Sequence, residues 1–536
     1  MKCDRLVLLA LCAWVVIVLT SLSTRPPMPI DETRCLSVAW EMQSSSDALV
    51  PHLNGETYSH KPPLLQWMML LGWQIFGPVE WWARVVGPLM GLAMLLLSLR
   101  LARLLWPAHT DAAPLTVAIL GSMVMWCVMA SMTMYDALLG ACTLVALLGA
   151  VQARLHGRAR DWALVAAGIG LGLLAKGPVV LLHVLPAALL APLWDVERHI
   201  AARRGGWARW YIALFLALLA GIAVALLWVV PAVIAGGQEY RDAILWGQTA
   251  GRMVQSFAHA RPWWWYLALA VPLLFPWSLW PPLWRGLRQH RRVLAADSGA
   301  RLAVIWFAAS FLVLSLTSGK QVHYLIPIYP AFALLLARLL SAMQLRSRDN
   351  MLPALVLASV IGACTVMLWM QPAFVPAVAK DARAWCAVPF VVFALFAAFA
   401  RATNPRRAVA TMLLLSCGIT LSAHVVAEPA LMAAYDVRPA AAVLADAAKR
   451  GDAIGWIGTY HGEVSYFARL HEPIQELTIA TVGPWLATHP QASVVLVGKQ
   501  AEAKDVRPNH RQLWRGGMLE VWDGTVLATH PEVLQR

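Results

Sequence analysis

The residues of this chain whose types could do chemistry are few: Asp31-Glu32, Tyr58-Ser59-His60-Lys61, Tyr135-Asp136, Lys176, Arg252 and Lys320-Gln321-Val322-His323. Each group stands in a polar turn at the end of an apolar run, which gathers carboxylates and stray lysines on one face of whatever those runs build. A carboxylate can take or orient a proton, and lysine or arginine stabilises negative charge growing on a leaving phosphate. Asp31 follows Pro26-Pro27-Met28-Pro29-Ile30, so a helix is expected to start near it. Two roles are open to it: an N-cap at the positive helix end, or a carboxylate that takes a proton from an attacking hydroxyl. Lys61 precedes Pro62-Pro63, so its backbone cannot start a helix and its side chain is held at a rim. There it would either snorkel to lipid headgroups or hold one lipid phosphate as a fixed point charge. His60 and His323 are the weak candidates for a cation, because no spacing makes them a ligand set. His183, inside an apolar run, reads as a packing histidine with its bonds satisfied.

The elements that position these residues are membrane helices. Of 536 residues 60% are hydrophobic and 13% charged, and the apolar runs recur at about 17–25 residues, the thickness of a hydrocarbon core. Such runs must be helical in lipid, where only helices satisfy their own backbone groups within one segment. They fall at about 6–22, 85–105, 115–132, 137–153, 162–175, 178–194, 210–234, 263–284, 302–318, 324–341, 351–371, 385–400 and 408–426, about thirteen spans. Leu64–Phe76 is apolar but short, and reads as an interfacial helix on the outer surface. Residues 1–24 read as an uncleaved first span rather than a signal peptide.

The net charge of +14 does not point to nucleic acid, because the arginines lie in short turns between the runs. With the N-terminus in the cytoplasm, every inside turn is basic: Arg100 and Arg103, Arg154 to Arg160, Arg198 to Arg209, Arg285 to Arg301, Arg346 and Arg348, Arg401 to Arg407. The loop 23–84 and residues 427–536 then lie outside, and many of the 27 tryptophans sit near run ends as an interfacial belt would. The cysteines have no CxxC spacing and read as buried thiols. After residue 426 the chain changes character. Arg438–Arg450 reads as an amphipathic helix, and Ala453–Gly458, Ser493–Gly498 and Gly517–Trp522 as strands, which makes a small extracytoplasmic α/β domain of 427–536. It carries no obvious nucleophile, and reads as a cap or an acceptor-docking module.

The motifs, taken in order, carry a resemblance to a known family. Asp31-Glu32-Thr33-Arg34 in the first outer loop, then Asn54-Gly55 and Tyr58-Ser59-His60-Lys61-Pro62-Pro63 leading into an apolar helix, resembles the aminoarabinose transferases that modify lipid A. More broadly it is similar to the protein-mannosyltransferase-like glycosyltransferases of the GT-C fold. Met134-Tyr135-Asp136, Ala175-Lys176-Gly177-Pro178, Arg252 with Phe275-Pro276-Trp277, and Ser318-Gly319-Lys320 with Tyr324-Leu325-Ile326-Pro327 follow in the same order. The resemblance implies a polytopic enzyme that uses a polyprenyl-phosphate-linked sugar at the outer leaflet and inverts the anomeric centre. It makes Asp31 the first-loop catalytic aspartate, with Glu32, its neighbour, and Asp136, the second outer carboxylate, as the further catalytic candidates that would position acceptor or sugar. Lys61 becomes a donor-phosphate ligand, and Lys176, Arg252 and Lys320 become cationic positions near donor or acceptor. Tyr58 and His323 complete the binding candidates. Two departures bear on metal: His60 stands where many relatives carry Glu, and Trp246-Gly247-Gln248-Thr249-Ala250-Gly251-Arg252 lacks a His that some carry.

The expectation is therefore an all-α polytopic membrane protein, GT-C-like, in a bacterial inner membrane. A transmembrane domain over 1–426 is followed by a small C-terminal α/β domain. It would move a sugar from a polyprenyl-phosphate donor to a lipid or envelope glycan acceptor, with lipid A as one such acceptor. The sequence requires no cofactor, and a divalent metal has no support in it. The rival is a transporter or flippase for a lipid-linked substrate. Transporters bury ionisable groups near the midplane in repeated, interrupted halves, whereas these spans are nearly charge-free and no repeat is visible.

Overall fold

The computed structural model describes residues 4–244, 260–371, 382–498 and 506–535. Arg252 lies outside the described residues.

The first helix, α1 (Arg5–Thr24), starts where Asp4 accepts the Leu6 amide at 2.9 Å. The chain then enters α2 (Asp31–Ser44), in which Asp31 is the first helical residue and not the cap: the cap position is Ile30, with no side-chain bond. A two-residue hairpin follows, β1 (His52–Leu53) and β2 (Glu56–Thr57). Asn54 and Gly55 turn it with φ of +57° and +79°, as a tight hairpin requires. Glu41 of α2 accepts both turn amides, at 2.6 and 3.0 Å, and ties the hairpin to that helix. Next come α3 (Leu64–Phe76), 13 residues and short for a span as expected, and α4 (Glu80–Leu105). The bundle continues with α5 (Ala112–Leu120), α6 (Val124–Ala130), α7 (Tyr135–His156), α8 (Ala159–Lys176) and α9 (Val179–Leu189).

Eight helices among the described residues are long and apolar enough to cross a membrane, or nine if α5 and α6, bent by 68°, count as one. All eight fall on expected runs. The other expected runs are helical but shorter or broken. Run 162–175 lies in α8, 178–194 is split at Leu190, and 385–400 makes the helical stretch Ala384–Phe399. Run 263–284 breaks into short turns because Pro272, Pro276, Pro281 and Pro282 remove amide donors at short intervals. The α7 helix is the innermost of the set, packed against α4 and α8 and buried along most of its length.

Carboxylates are not confined to one face, contrary to the sequence reading. On the arginine-rich face, Arg406 binds Asp4 and Asp111, Arg154 binds Asp195 and Glu197, Arg285 binds Asp349, and Arg338 binds Asp297. Each pair joins helix ends that the alternation of basic turns had put on the same side. The expected grouping of ends is thus physically tied together.

The helix Pro405–Tyr435 continues unbroken past residue 426, and Arg438–Arg450 follows after a two-residue turn. A five-stranded sheet comes next: β3 (Ile454–Ile457), β4 (Gln475–Leu477), β5 (Ser493–Gly498), β6 (His510–Trp514) and β7 (Gly517–Asp523). The order is β4-β3-β5-β7-β6, parallel on the β4 side and antiparallel beyond β5, with Val495 opposite Val521. Successive residues face opposite sides. Val495 joins Leu444, Trp456 and Leu519 in one core, and Val494 joins Val482, Leu486 and Trp522 in the other.

Candidate active site

Three of the expected residues converge where α7 begins and α8 ends. Asp136 sits in the first turn of α7, and Lys176 is the last residue of α8, stopped there by Gly177-Pro178. Because α7 and α8 form a hairpin, these two ends meet: Lys176 Nζ donates to Asp136 Oδ1 at 2.6 Å. The same ammonium stands 4.4 Å from the centre of the Tyr324 ring. His323, one residue earlier in the helical stretch Val322–Ile328, places Nε2 at 3.8 Å from Asp136 Oδ2 and its ring edge-on to Tyr324. Asp136 is 2% exposed, so a charge there is carried only because a cation answers it.

The first outer loop closes over this group. Lys61 lies within electrostatic reach of both Asp136 and His323, and Asp31 within reach of His323. Asp31 is about half exposed, at 52%, and its carboxylate accepts from Arg34 Nη2 at 2.9 Å. Tyr58 is buried, with its ring 5.1 Å from that of His60. Below them a buried polar chain links the carriers: Gln66 Nε2 of α3 donates to Tyr135 OH at 2.5 Å. Cys35 of α2 bonds to the same phenol, and burial pushes its thiol up to about 12.

Glu32 is placed otherwise than expected. Its carboxylate is sealed, 1% exposed, and takes both Nη groups of Arg25, the Met28 amide at 2.8 Å and the Thr133 amide at 2.7 Å. Arg25 also donates to Ser131 O, and Arg84 donates to Arg25 O at 2.8 Å. Four donors occupy its two oxygens, and through Arg25 it ties the first loop to Arg84 of α4 and to the turn before α7. Lys320 also stands apart. Its ammonium, 3% exposed, donates to the carbonyls of Arg261 and Thr317 and pins those two turns together. His183 is fully buried, but neither ring nitrogen has a hydrogen-bond partner among the described residues, unlike the satisfied histidine expected. Among the described residues, no three His, Cys, Asp or Glu side chains stand close enough to hold a metal ion, so His60 does not belong to such a group.

Sequence reasoning missed Tyr324 as a site residue although the motif contained it. It also missed Arg25, which carried no motif signal.

A family model described as dolichyl-phosphate-mannose-protein mannosyltransferase matches residues 60–235. An undecaprenyl phosphate-alpha-4-amino-4-deoxy-L-arabinose arabinosyl transferase of Pseudomonas fluorescens is 29% identical over 58% of this chain and 53% of its own. One from Pseudomonas paraeruginosa is 31% identical over 60% of this chain and 57% of its own. The chain spans about half the length of the curated relatives it matches. The crystal structure of ArnT from Cupriavidus metallidurans bound to undecaprenyl phosphate superposes with a TM-score of 0.69 at 21% identity, covering 96% of this chain and 97% of that one. The apo form gives 0.72 at 20% identity, covering 97% and 98%. The chain shares the fold of these ArnT structures. The likeness carried by the ordered motifs therefore holds, as do the helical membrane architecture and the small C-terminal α/β unit.

Proposed function

We propose that the protein is an integral-membrane glycosyltransferase that moves a sugar from a polyprenyl-phosphate donor to an envelope acceptor, with lipid A as that acceptor and an aminoarabinose-type pentose as the sugar. The observation that carries this is Lys176, fixed between Asp136 and the Tyr324 ring beside Lys61 and His323. The names of the curated relatives, all arabinosyl transferases acting on undecaprenyl-phosphate-linked aminoarabinose, support the same reading.

The chemistry follows from charge. The bond from the anomeric carbon to the donor phosphate breaks as an acceptor oxygen attacks from the opposite face. The leaving group is a polyprenyl phosphate, on whose oxygens negative charge grows. Lys61 and Lys176 stabilise that charge more in the transition state than in the ground state. Asp136 holds the Lys176 ammonium in place, and the Tyr324 face steadies it from beneath. If the acceptor is a hydroxyl, Asp31 takes its proton. If it is a phosphate, no base is needed, and Asp31 instead meets the amino group of the sugar or the positive charge at the anomeric carbon. The Arg asymmetry of the turns supports a cytoplasmic N-terminus, with the site and the C-terminal domain on the periplasmic side of a bacterial inner membrane.

The test is mass spectrometry of lipid A and other envelope glycolipids from cells lacking the gene, restored with wild type or with Asp31→Asn. A pentosamine-sized mass present with wild type and absent with the variant is expected. Identical glycolipids in all three strains would end the transferase reading.

A further inference from the structure

The C-terminal domain holds the first outer loop at several points: Asn54 and Ile474 exchange two hydrogen bonds, Tyr466 and Arg469 donate to the Pro78 carbonyl, and one turn meets α2 itself. Between β3 and the short helix Ser465–Ala468 the chain turns at Gly462, with φ +82°. The Gly462 carbonyl accepts from Ser37 Oγ of α2 at 2.8 Å, and Ser37 Oγ accepts in turn from the Tyr466 amide at 3.3 Å. One turn further along α2, Trp40 Nε1 donates to Leu470 O at 2.8 Å. The approach is close: a Cβ added at Gly462 would stand 2.8 Å from Leu53 Cδ1 of the hairpin, 3.1 Å from Ser37 Cβ and 3.4 Å from Arg34 Cα. Asp31, Arg34 and Ser37 are spaced three residues apart and so follow one slanted row along α2, from the exposed Asp31 to the buried Ser37. A single stripe thus runs from the docked turn through Arg34 to Asp31, which Arg34 holds at 2.9 Å.

The location of this turn in the sheet adds a second observation. From β3 the sheet extends to β4 on one side and to β5 on the other. In open α/β sheets the loop at the carboxyl end of such a strand is where ligands bind. Here that loop binds α2.

We propose that the Gly462 turn is a positioning element for Asp31, so that the C-terminal domain sets the transfer step without touching substrate. Ser37 and Gly462 are the positioning residues. They fix the rotation of α2, and through it the height of Asp31 above Asp136, Lys61 and His323. This rests on the reading of Asp31 as the carboxylate that acts in transfer.

The experiment uses the full chain in proteoliposomes, with undecaprenyl-phosphate-linked aminoarabinose and purified lipid A as substrates. Ser37→Ala, Gly462→Ala and Trp40→Phe are compared with Val482→Ala, which loosens the core on the far side of the same sheet. Hydrogen exchange of the α2 amides is read alongside. The expected result is kcat lower by about tenfold or more for Ser37→Ala and Gly462→Ala, because small misplacements of a reacting group are costly. Donor KM should stay within roughly twofold, α2 exchange should accelerate, and Val482→Ala should keep wild-type kcat. Wild-type kcat in Ser37→Ala and Gly462→Ala despite faster α2 exchange would overturn the proposal, as would an equal kcat loss in Val482→Ala. Asp31→Asn separates the two levels: full transfer by that variant sinks the reading of Asp31 itself, whereas its inactivity beside active Ser37→Ala sinks only the positioning role.

Discussion

Glu32 supplies the sharpest test of how the first loop is held. Replacing it with Ala removes the counter-charge of Arg25, whose side chain is 4% exposed, and strands the Met28 and Thr133 amides that now donate to the carboxylate. Breaking a buried pair from one side costs about 3–5 kcal/mol. At about 1.4 kcal/mol per decade, that is roughly two to three and a half orders of magnitude in the equilibrium for local opening. Hydrogen exchange followed by mass spectrometry should therefore show the amides at the start of α2 exchanging about 100-fold faster in Glu32→Ala, while the helix Pro405–Tyr435 keeps its protection. Glu32→Gln keeps the shape and one acceptor, so its effect should be smaller, about 1–2 kcal/mol. It should also retain part of the transfer activity, which a catalytic carboxylate would not. The pH dependence carries a sign. Burial works to raise the Glu32 carboxyl, but the charge and hydrogen bonds of Arg25, with Arg84 behind it, outweigh burial and hold it below its ordinary value. A carboxyl depressed in the fold contributes its stability above the unfolded pKa of about 4.3 and loses it as pH falls through the lower folded value. The gap between wild type and Glu32→Gln should be full at neutral pH and close only in acid. A change of less than about threefold in α2 exchange for Glu32→Ala, or a gap that widens in acid, would refute the account of this knot.

The remaining predictions concern the site, its scaffold and its orientation. Asp136→Asn leaves Lys176 without its anchor, so kcat should drop by about 100-fold or more, and Lys176→Met should match it; the double variant should be no worse than either, because the pair acts as one unit. Gly168→Leu should push α8 off α7, since even a Cβ there would lie 2.4 Å from the Ala146 amide nitrogen. A cost of about 1–3 kcal/mol, read as a lower melting temperature in detergent, should come with lost transfer because Lys176 rides on that helix. A cysteine at Asn54 should react with a membrane-impermeant maleimide added to spheroplasts and one at Arg158 should not; the reverse pattern would invert the orientation.

What was legible in the sequence is what short-range chemistry decides. Asn54-Gly55 could only be a tight turn, Gly177-Pro178 could only end a helix, and both do. The helix Arg438–Arg450 and the strands β3, β5 and β7 announced themselves by pattern. By contrast, β4 and β6 are three and five residues long and mostly polar, too short for any period to show. Asp136, Lys176 and His323 could be named because each ends an apolar run, but their meeting depends on the α7–α8 hairpin and on a segment nearly 150 residues further along. Glu32 could not be judged at all. Its burial is made by Arg25 on one side and by Thr133, 101 residues away, on the other.

Asp136 differs from the carboxylates of the arginine-rich face in its partner. On the arginine-rich face Arg285 meets Asp349 through two parallel bonds, and Arg406 donates to both oxygens of Asp4. Glu32, on the site face but away from the cluster, is likewise held by both Nη groups of Arg25. A guanidinium fork fixes a carboxylate in plane and leaves it little freedom. Asp136 instead meets a lysine, a point charge on a flexible stem that makes one bond and rests on an aromatic face. Such an ammonium can turn toward an arriving phosphate without giving up the aspartate, because it has three donors and this contact uses one. Asp31, the other carboxylate of the proposed transfer step, accepts a single arginine bond at the surface, so in that reading it is the freedom left by the partner, and not its charge alone, that separates the carboxylates of the chemistry from the forked ones of the scaffold.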